Sequence, residues 1–157
     1  MKFVFPKHME DKMKKNIIFL YLFFAGITLF AQESLDEFIQ YYITTCISVL
    51  GNPVPSGFQR IDRTSFKNEY DVILFTENNI VTASAFGSAF SSNSDATEFN
   101  GIFYTFFEDN WTFFRSTNQG ADIYIKNDVY AIINRPRRRD DGQIVAIIGF
   151  SKDINKL

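Results

Sequence analysis

Hydrophobic and polar positions alternate with two different periods along the chain, which divides it into helices and strands. Between residues 35 and 50 apolar side chains recur every three or four positions, a spacing that predicts one amphipathic helix. Ser34 and Glu37 have capping-box spacing at its start, while Gly51 and Pro53 favour its end. The apolar face of this helix is therefore expected to pack against another element.

A second helical period occupies residues 95–109. Its apolar positions are Phe99, Ile102, Phe103, Phe106 and Phe107. Asp95 and Glu98 again have capping-box spacing, whereas Gly101 and the many Phe, Tyr and Thr residues favour a strand. The helical spacing of the apolar residues outweighs these strand-favouring residues, and it predicts a helix that ends near Asn110.

The other apolar runs are short and predict strands. They are residues 58–63, 70–76, 80–86, 111–116, 122–126, 129–134 and 143–151. Asn and Asp tolerate positive φ, so residues 77–79 and 126–128 are expected to form tight hairpin turns. The Ser- and Asn-rich segment 87–95 predicts an exposed, mobile loop. The last strand is apolar on both faces, which indicates a central position covered on both sides.

The order of elements predicts an α+β fold. Two αβββ-like units, with halves at 34–90 and 95–151, would form one antiparallel sheet of about six to seven strands with two helices packed on one face. We expect residues 32–157 to form this single globular domain.

The N-terminal segment has the pattern of a signal peptide at residues 13–31. Lysines precede an apolar run from Ile17 to Ala31, which would rise only roughly 22 Å as a helix, against about 30 Å for a bilayer core. Residues 1–12 resemble an upstream extension of the start. The prediction is export to the periplasm, the outer surface or the medium; an uncleaved leader that tethers the chain to a membrane is the alternative.

Composition removes several classes of function. The formal net charge of −2, which becomes more negative without the lysine-rich leader, argues against a nucleic-acid partner. The only histidine, His8, precedes the predicted domain, and the only cysteine, Cys46, lies on the apolar face of the first helix. We therefore predict no histidine base, no intramolecular disulfide, no cofactor and no metal site, with Cys46 a buried core thiol.

The segment RPRRRDDG (135–142) carries the densest surface charge. Its four arginines, Arg135, Arg137, Arg138 and Arg139, could hold an anionic partner or a membrane headgroup through their forked guanidinium groups. The alternative is a solvated turn in which Asp140 and Asp141 offset part of the positive charge.

The aromatic side chains suggest a second candidate surface. Surplus rings could line an apolar ligand pocket, contact a partner or bury a homodimer interface; the candidates are Phe99, Phe103, Phe106, Phe107 and Trp111. The alternative is a wide core between helix and sheet. The carboxylates have positions typical of solvated acids, at strand starts, a helix end and a turn: Glu69, Asp71, Glu108, Asp109, Asp122, Asp140 and Asp141.

These observations favour a non-catalytic binding protein of the bacterial envelope with an unknown protein partner. A carrier of a small apolar ligand or lipid, with an aromatic-lined cavity, is the alternative. A hydrolase that uses only carboxylates is a more remote one, because it would need two acids to meet across a cleft.

Overall fold

The computed structural model describes residues 30–157 and, among them, the side chains of Leu35 and of residues 37–157. The predicted extension at 1–12 lies outside the described residues, as does the predicted signal peptide except for the backbone of its last two positions. In chain order the elements are α1 (Phe30–Ser48), β1 (Gln59–Arg60), β2 (Ser65–Lys67), β3 (Ile73–Glu77), β4 (Ile80–Phe90), α2 (Asn93–Asn110), β5 (Thr112–Ser116), β6 (Asp122–Lys126), β7 (Val129–Ile133), β8 (Arg137–Arg138), β9 (Ile144–Ser151) and a 3₁₀ helix (Ile154–Lys156).

The predicted α+β class is confirmed: residues 30–157 contain two α-helices and one antiparallel sheet of nine strands. The strand order is β1-β2-β3-β4-β9-β7-β6-β5, with β8 paired to β9. The prediction of six to seven strands was too low. The prediction missed β2 and β8, and it gave β1 as one longer strand. These strands are only two or three residues long, too short to show alternation of apolar and polar residues in the sequence.

Each helix leads into an antiparallel meander, and the two meanders meet in the middle of the sheet. β1 to β4 follow one another on one side, while β5, β6, β7 and β9 follow one another on the other. The last strand of each meander is therefore central, and β4 pairs with β9 from Ala83 opposite Ser151 to Phe90 opposite Ile144.

Both helices pack on the same face of the sheet. Ser84 and Phe86 lie two residues apart on β4, so their side chains point to the same side. Ser84 Oγ donates a hydrogen bond to the Cys46 carbonyl of α1 at 2.8 Å, whereas the Phe86 ring contacts Phe103 of α2 at 5.1 Å. Cys46 is fully buried, as predicted, and burial raises the pKa of its thiol to about 12.

Aromatic rings fill the space between α2 and the sheet. Phe103 is only 1% exposed, and its ring lies 5.1 Å from both Phe86 and Phe99. Phe107 and Phe150 are fully buried with their ring centroids 6.1 Å apart. Tilted contacts at these distances combine apolar burial with favourable ring geometry, so the core is solidly packed here.

The turns follow the predictions, because only a few residue types accept their backbone conformation. Asn78 and Asn79 have φ of 51° and 64° at the β3–β4 turn, and Asn127 and Asp128 have φ of 48° and 62° at the β6–β7 turn. Gly51, with φ of 81°, ends the turn after α1 as its position predicted.

The predicted starts of both helices were wrong. The described part of α1 already includes Phe30, so Ser34 lies inside the helix and does not cap it. The cap of α2 is Ser92, whose side chain accepts a hydrogen bond from the Asp95 amide at 3.1 Å. α2 therefore begins one turn before the predicted box of Asp95 and Glu98.

The predicted exposed loop at 87–95 was also wrong. β4 continues to Phe90 because Gly87, Ser88 and Ala89 pair with β9 opposite residues 147 to 145. Gly87 suits this pairing because a Cβ there would lie 2.4 Å from the Ala146 carbonyl oxygen. Small side chains give no hydrophobic signal, although the neighbouring strand buries them.

The second face of the sheet is covered in part by the C-terminus. Ile154 and Leu157 pack against a small cluster formed by Ala121, Ile123 and Ile132. The central position of β9 is confirmed, and its residues are buried on both faces except for the half-buried Ile147. Neither described helix is long and apolar enough to span a bilayer.

Truncation of a core ring should separate packing from surface effects. Because Phe103 contacts rings on both α2 and β4, we expect Phe103→Ala to lower the free energy of unfolding by about 3–5 kcal/mol. Chemical denaturation of the full chain measures this change. Phe114→Ala is the matched control, because Phe114 is 46% exposed. It should lower the free energy of unfolding much less than Phe103→Ala does. Equal losses of unfolding free energy in the two variants would contradict this account of the core.

Candidate functional site

Most of the predicted arginine surface is paired within the chain. Arg137 Nη2 donates to Gln119 Oε1 at 2.7 Å, and Arg138 Nη1 donates to the Gly142 carbonyl at 2.9 Å. Arg139 forms an ion pair with Asp141 at 3.2 Å. Arg135 lies against Gly120, where an added Cβ would be 2.4 Å from its Nε atom. Three of the four guanidinium groups are therefore paired with nearby residues of the same chain. Anion binding by the loop stays a prediction.

The five predicted aromatic residues do not form one surface: three lie in the core and two are half-buried. Phe99, Phe103 and Phe107 are buried in the core. Phe106 is half-buried, with its ring 5.6 Å from that of Phe107. Trp111 is also half-buried and lines an open cleft. Of the five predicted rings, Trp111 is the one that reaches this cleft.

We call this feature the aromatic–acidic cleft. It has a volume of about 410 Å³ and lies between the C-terminal half of α2 and the strands β5 and β6. Its lining residues are Tyr104, Glu108, Trp111, Phe113, Ser116, Asp122 and Tyr124. Four of the seven carry aromatic rings and two carry carboxylates.

Regular secondary structure brings these side chains together. Tyr104 and Glu108 are four residues apart on α2, so they lie on one face of the helix. Asp122 and Tyr124 alternate on β6 and share the helix-facing side of the strand. Phe113 and Ser116 of β5 lie opposite Tyr124 and Asp122, respectively, in the antiparallel register.

Ring contacts connect the cleft to the core. The Trp111 amide caps α2 by donating to the Phe107 carbonyl at 2.8 Å, and its ring meets that of Phe107 edge-on at 5.1 Å. Tyr124 stacks on Phe107 at 5.5 Å, and Phe113 contacts Tyr124 at 5.7 Å. The buried Phe107 ring therefore fixes the positions of two aromatic walls.

Hydroxyl groups hold the Asp122 carboxylate in place. Ser116 Oγ donates to Asp122 Oδ1 at 2.6 Å. Burial raises the pKa of Tyr104 strongly, and a hydrogen bond to Asp122 raises that pKa further. Tyr104 is consequently a neutral phenol at physiological pH and can donate to the carboxylate.

The two carboxylates act on the same part of the cleft. The pKa of Tyr124 is raised first by burial and then by the negative charges of Glu108 and Asp122. Ion pairs within residues 35–157 join Lys67 to Asp71, Arg139 to Asp141 and Lys156 to Glu77. Neither cleft carboxylate forms an ion pair with a residue in that described range. Arg135 is close enough to lower the pKa of Tyr104, but its effect is smaller than that of Asp122.

Sequence reasoning found Trp111 and missed the other lining residues as a group. The sequence alone predicts that Glu108 and Asp122 are solvated acids at a helix end and a strand start. The four-residue spacing of Tyr104 and Glu108 and the alternation of Asp122 and Tyr124 were visible signals. Nothing in the sequence shows that the two pairs line the same cleft.

The donor sets of the described residues offer no metal centre: among them no three His, Cys, Asp or Glu side chains are grouped to hold an ion. Comparisons with protein-family models, with curated proteins and with solved structures found no match to this chain.

Removal of the Asp122 charge should change the ionisation of Tyr104. In Asp122→Asn we expect the pKa of Tyr104 to fall, because the phenolate no longer faces a negative charge; burial should keep it above its ordinary value. A ¹³C NMR titration of the tyrosine rings measures the shift. Glu77→Gln, which removes a carboxylate at the β3–β4 turn, is the control and should leave Tyr104 unchanged. An unchanged pKa in Asp122→Asn would contradict the assigned contact.

Proposed function

We propose that this chain is an exported, non-catalytic binding protein and that the aromatic–acidic cleft is its ligand site. The observation that carries the proposal is the convergence of four rings and two carboxylates, with no internal ion pair among the described residues, in one open cleft. Export rests on the predicted signal peptide at residues 13–31. The binding role rests on the cleft alone.

The dimensions and lining of the cleft support this role. Small-molecule sites typically occupy about 300–1,000 Å³ and combine apolar walls with a few oriented polar groups. Here the rings form the walls, and Asp122 is oriented by Ser116 and Tyr104. Phe113 is 55% exposed, so part of the apolar surface is ready to be covered by a ligand.

The packing of the core favours this cleft over a carrier cavity between helix and sheet. Phe99 and Phe103 contact each other at 5.1 Å, and Phe99 also contacts Phe90 at 5.5 Å. A ligand between α2 and the sheet would have to separate these rings, which costs apolar burial. A ligand in the aromatic–acidic cleft would instead cover rings that are already accessible, above all Phe113.

A carboxylate hydrolase is a second candidate, because Glu108 and Asp122 line the same cleft. Glycosidases need only a pair of carboxylates on opposite sides of the scissile bond. The structure supports the binding protein better, because Asp122 is engaged by two hydroxyl groups and Glu108 lies exposed at the rim.

A pair of adjacent surface rings allows a matched test of the ligand site. Phe113 faces the cleft, whereas Phe114 contacts Tyr130 at 5.6 Å on the other face of the sheet. The chain has one tryptophan, Trp111, so its fluorescence reports on the cleft without interference. We expect a screen of amines, carboxylates, neutral sugars and apolar compounds to contain ligands that change this fluorescence, with Phe113→Ser weakening them about fivefold or more and Phe114→Ser having little effect.

Three results would decide the matter against the proposal. If no class of compound changes the Trp111 signal, or if both variants weaken binding equally, the cleft is not the ligand site. If a bound glycan is cleaved and Glu108→Gln or Asp122→Asn abolishes the cleavage, the hydrolase replaces the binding protein.

A further inference from the structure

We propose that the aromatic–acidic cleft recognises an organic cation of the alkylammonium class, carried by a free amine or by a lysine side chain. This inference rests on the binding function proposed above and names the chemical class of its ligand. The supporting features are the sign of the charge in the cleft, the way the Asp122 carboxylate is held, and the accessible rings that line the same cleft.

The charge of the lining has one sign. Glu108 and Asp122 are the charged residues among the seven that line the cleft, and both are acidic. Arg135, the cation whose charge lowers the pKa of the lining residue Tyr104, lies against Gly120 and is not part of the lining. Arg115 is directed away, with its guanidinium group 5.7 Å from the Phe114 ring on the opposite face. A cationic ligand therefore gains attraction here, whereas an anion is repelled.

The Asp122 carboxylate is fixed in position without being neutralised. Its two partners, Ser116 and Tyr104, are neutral hydroxyl groups. Hydrogen bonds of this kind orient a carboxylate and leave its full charge available to a ligand. An arginine or lysine in the same place would have cancelled that charge.

The rings supply the second part of the recognition. The faces of Trp, Tyr and Phe attract cations, and the same surface covers the alkyl groups that surround an ammonium nitrogen. The half-buried Trp111 and the 55% exposed Phe113 line the cleft together with the carboxylates, whereas the Tyr124 ring in the lining is buried against Phe107. A hard metal ion would use none of this apolar surface, because Ca²⁺ and Mg²⁺ take oxygen ligands.

The sharpest test compares choline with its neutral carbon isostere, in which carbon replaces the charged nitrogen. Titration of the full chain, followed by Trp111 fluorescence at constant ionic strength, should give a roughly millimolar dissociation constant for choline. The isostere has the same shape and should bind at least about fivefold more weakly, because it lacks the charge. Butylammonium and a blocked lysine peptide then distinguish a free amine from a protein side chain as the source.

Charge variants locate the effect. Glu108→Gln and Asp122→Asn should each weaken choline about fivefold, and the isostere should not respond to either change. Asp109→Asn is the matched control: Asp109 carries the same charge next to Glu108, but it does not line the cleft. Its effect should be clearly smaller than that of either lining variant.

Fluorescence quenching by ions tests the negative charge of the cleft without a ligand. Caesium should quench Trp111 more effectively, and iodide less effectively, in the wild type than in the Glu108→Gln, Asp122→Asn double variant. This comparison uses the sole tryptophan and needs no knowledge of the natural ligand.

Equal binding of choline and its isostere, or choline binding that ignores both lining variants, would overturn the cation assignment. If neutral sugars bind and choline does not, the cation assignment fails while the binding function stands. If no tested compound changes the Trp111 signal, the proposed binding function fails together with it.

Discussion

The antiparallel pairing of β4 with β9 is the interaction on which the rest of the structure depends. It is the sheet contact that joins the two meanders, and it extends from Ala83 opposite Ser151 to Phe90 opposite Ile144. Residues 84 to 90 lie far from residues 144 to 150 in the chain, so this pairing closes a long loop before it gains hydrogen bonds. The aromatic contacts above it offset that entropic cost.

The cleft inherits its geometry from this central pair. Phe150 of β9 contacts the rings of Phe107 and Trp111, and Phe107 contacts Tyr124 of β6. Two walls of the cleft are thus held by a core strand, although the cleft opens at the edge of the sheet. Because buried rings hold these two walls in place, a ligand would lose little entropy in ordering them.

Local chemistry made part of the fold predictable from sequence. The helical period of 95–109 outweighed Gly101, because α2 buries Phe99, Phe103 and Phe107 along one face. The turns at Asn78 and Asn127 were predictable because they need positive φ. The extension of β4 through Gly87 was not predictable, because its burial comes from β9 and not from its own side chains. For the same reason Glu108 and Asp122 could be assigned to element ends but not to one cleft.

The adjacent aromatic pairs show how one sequence feature can serve both a core and a surface. On α2, Phe107 points into the core while Phe106 lies at its margin. On β5, adjacent side chains alternate, so Phe113 faces the cleft and Phe114 faces the other side of the sheet. The register with β6 shifts between Phe113 and Arg115. A bulge and an arginine on an edge strand discourage pairing with another strand. The accessible rings of β5 are therefore better suited to contact with a ligand's side groups than to extension of the sheet, which is the arrangement a cation site at this edge requires.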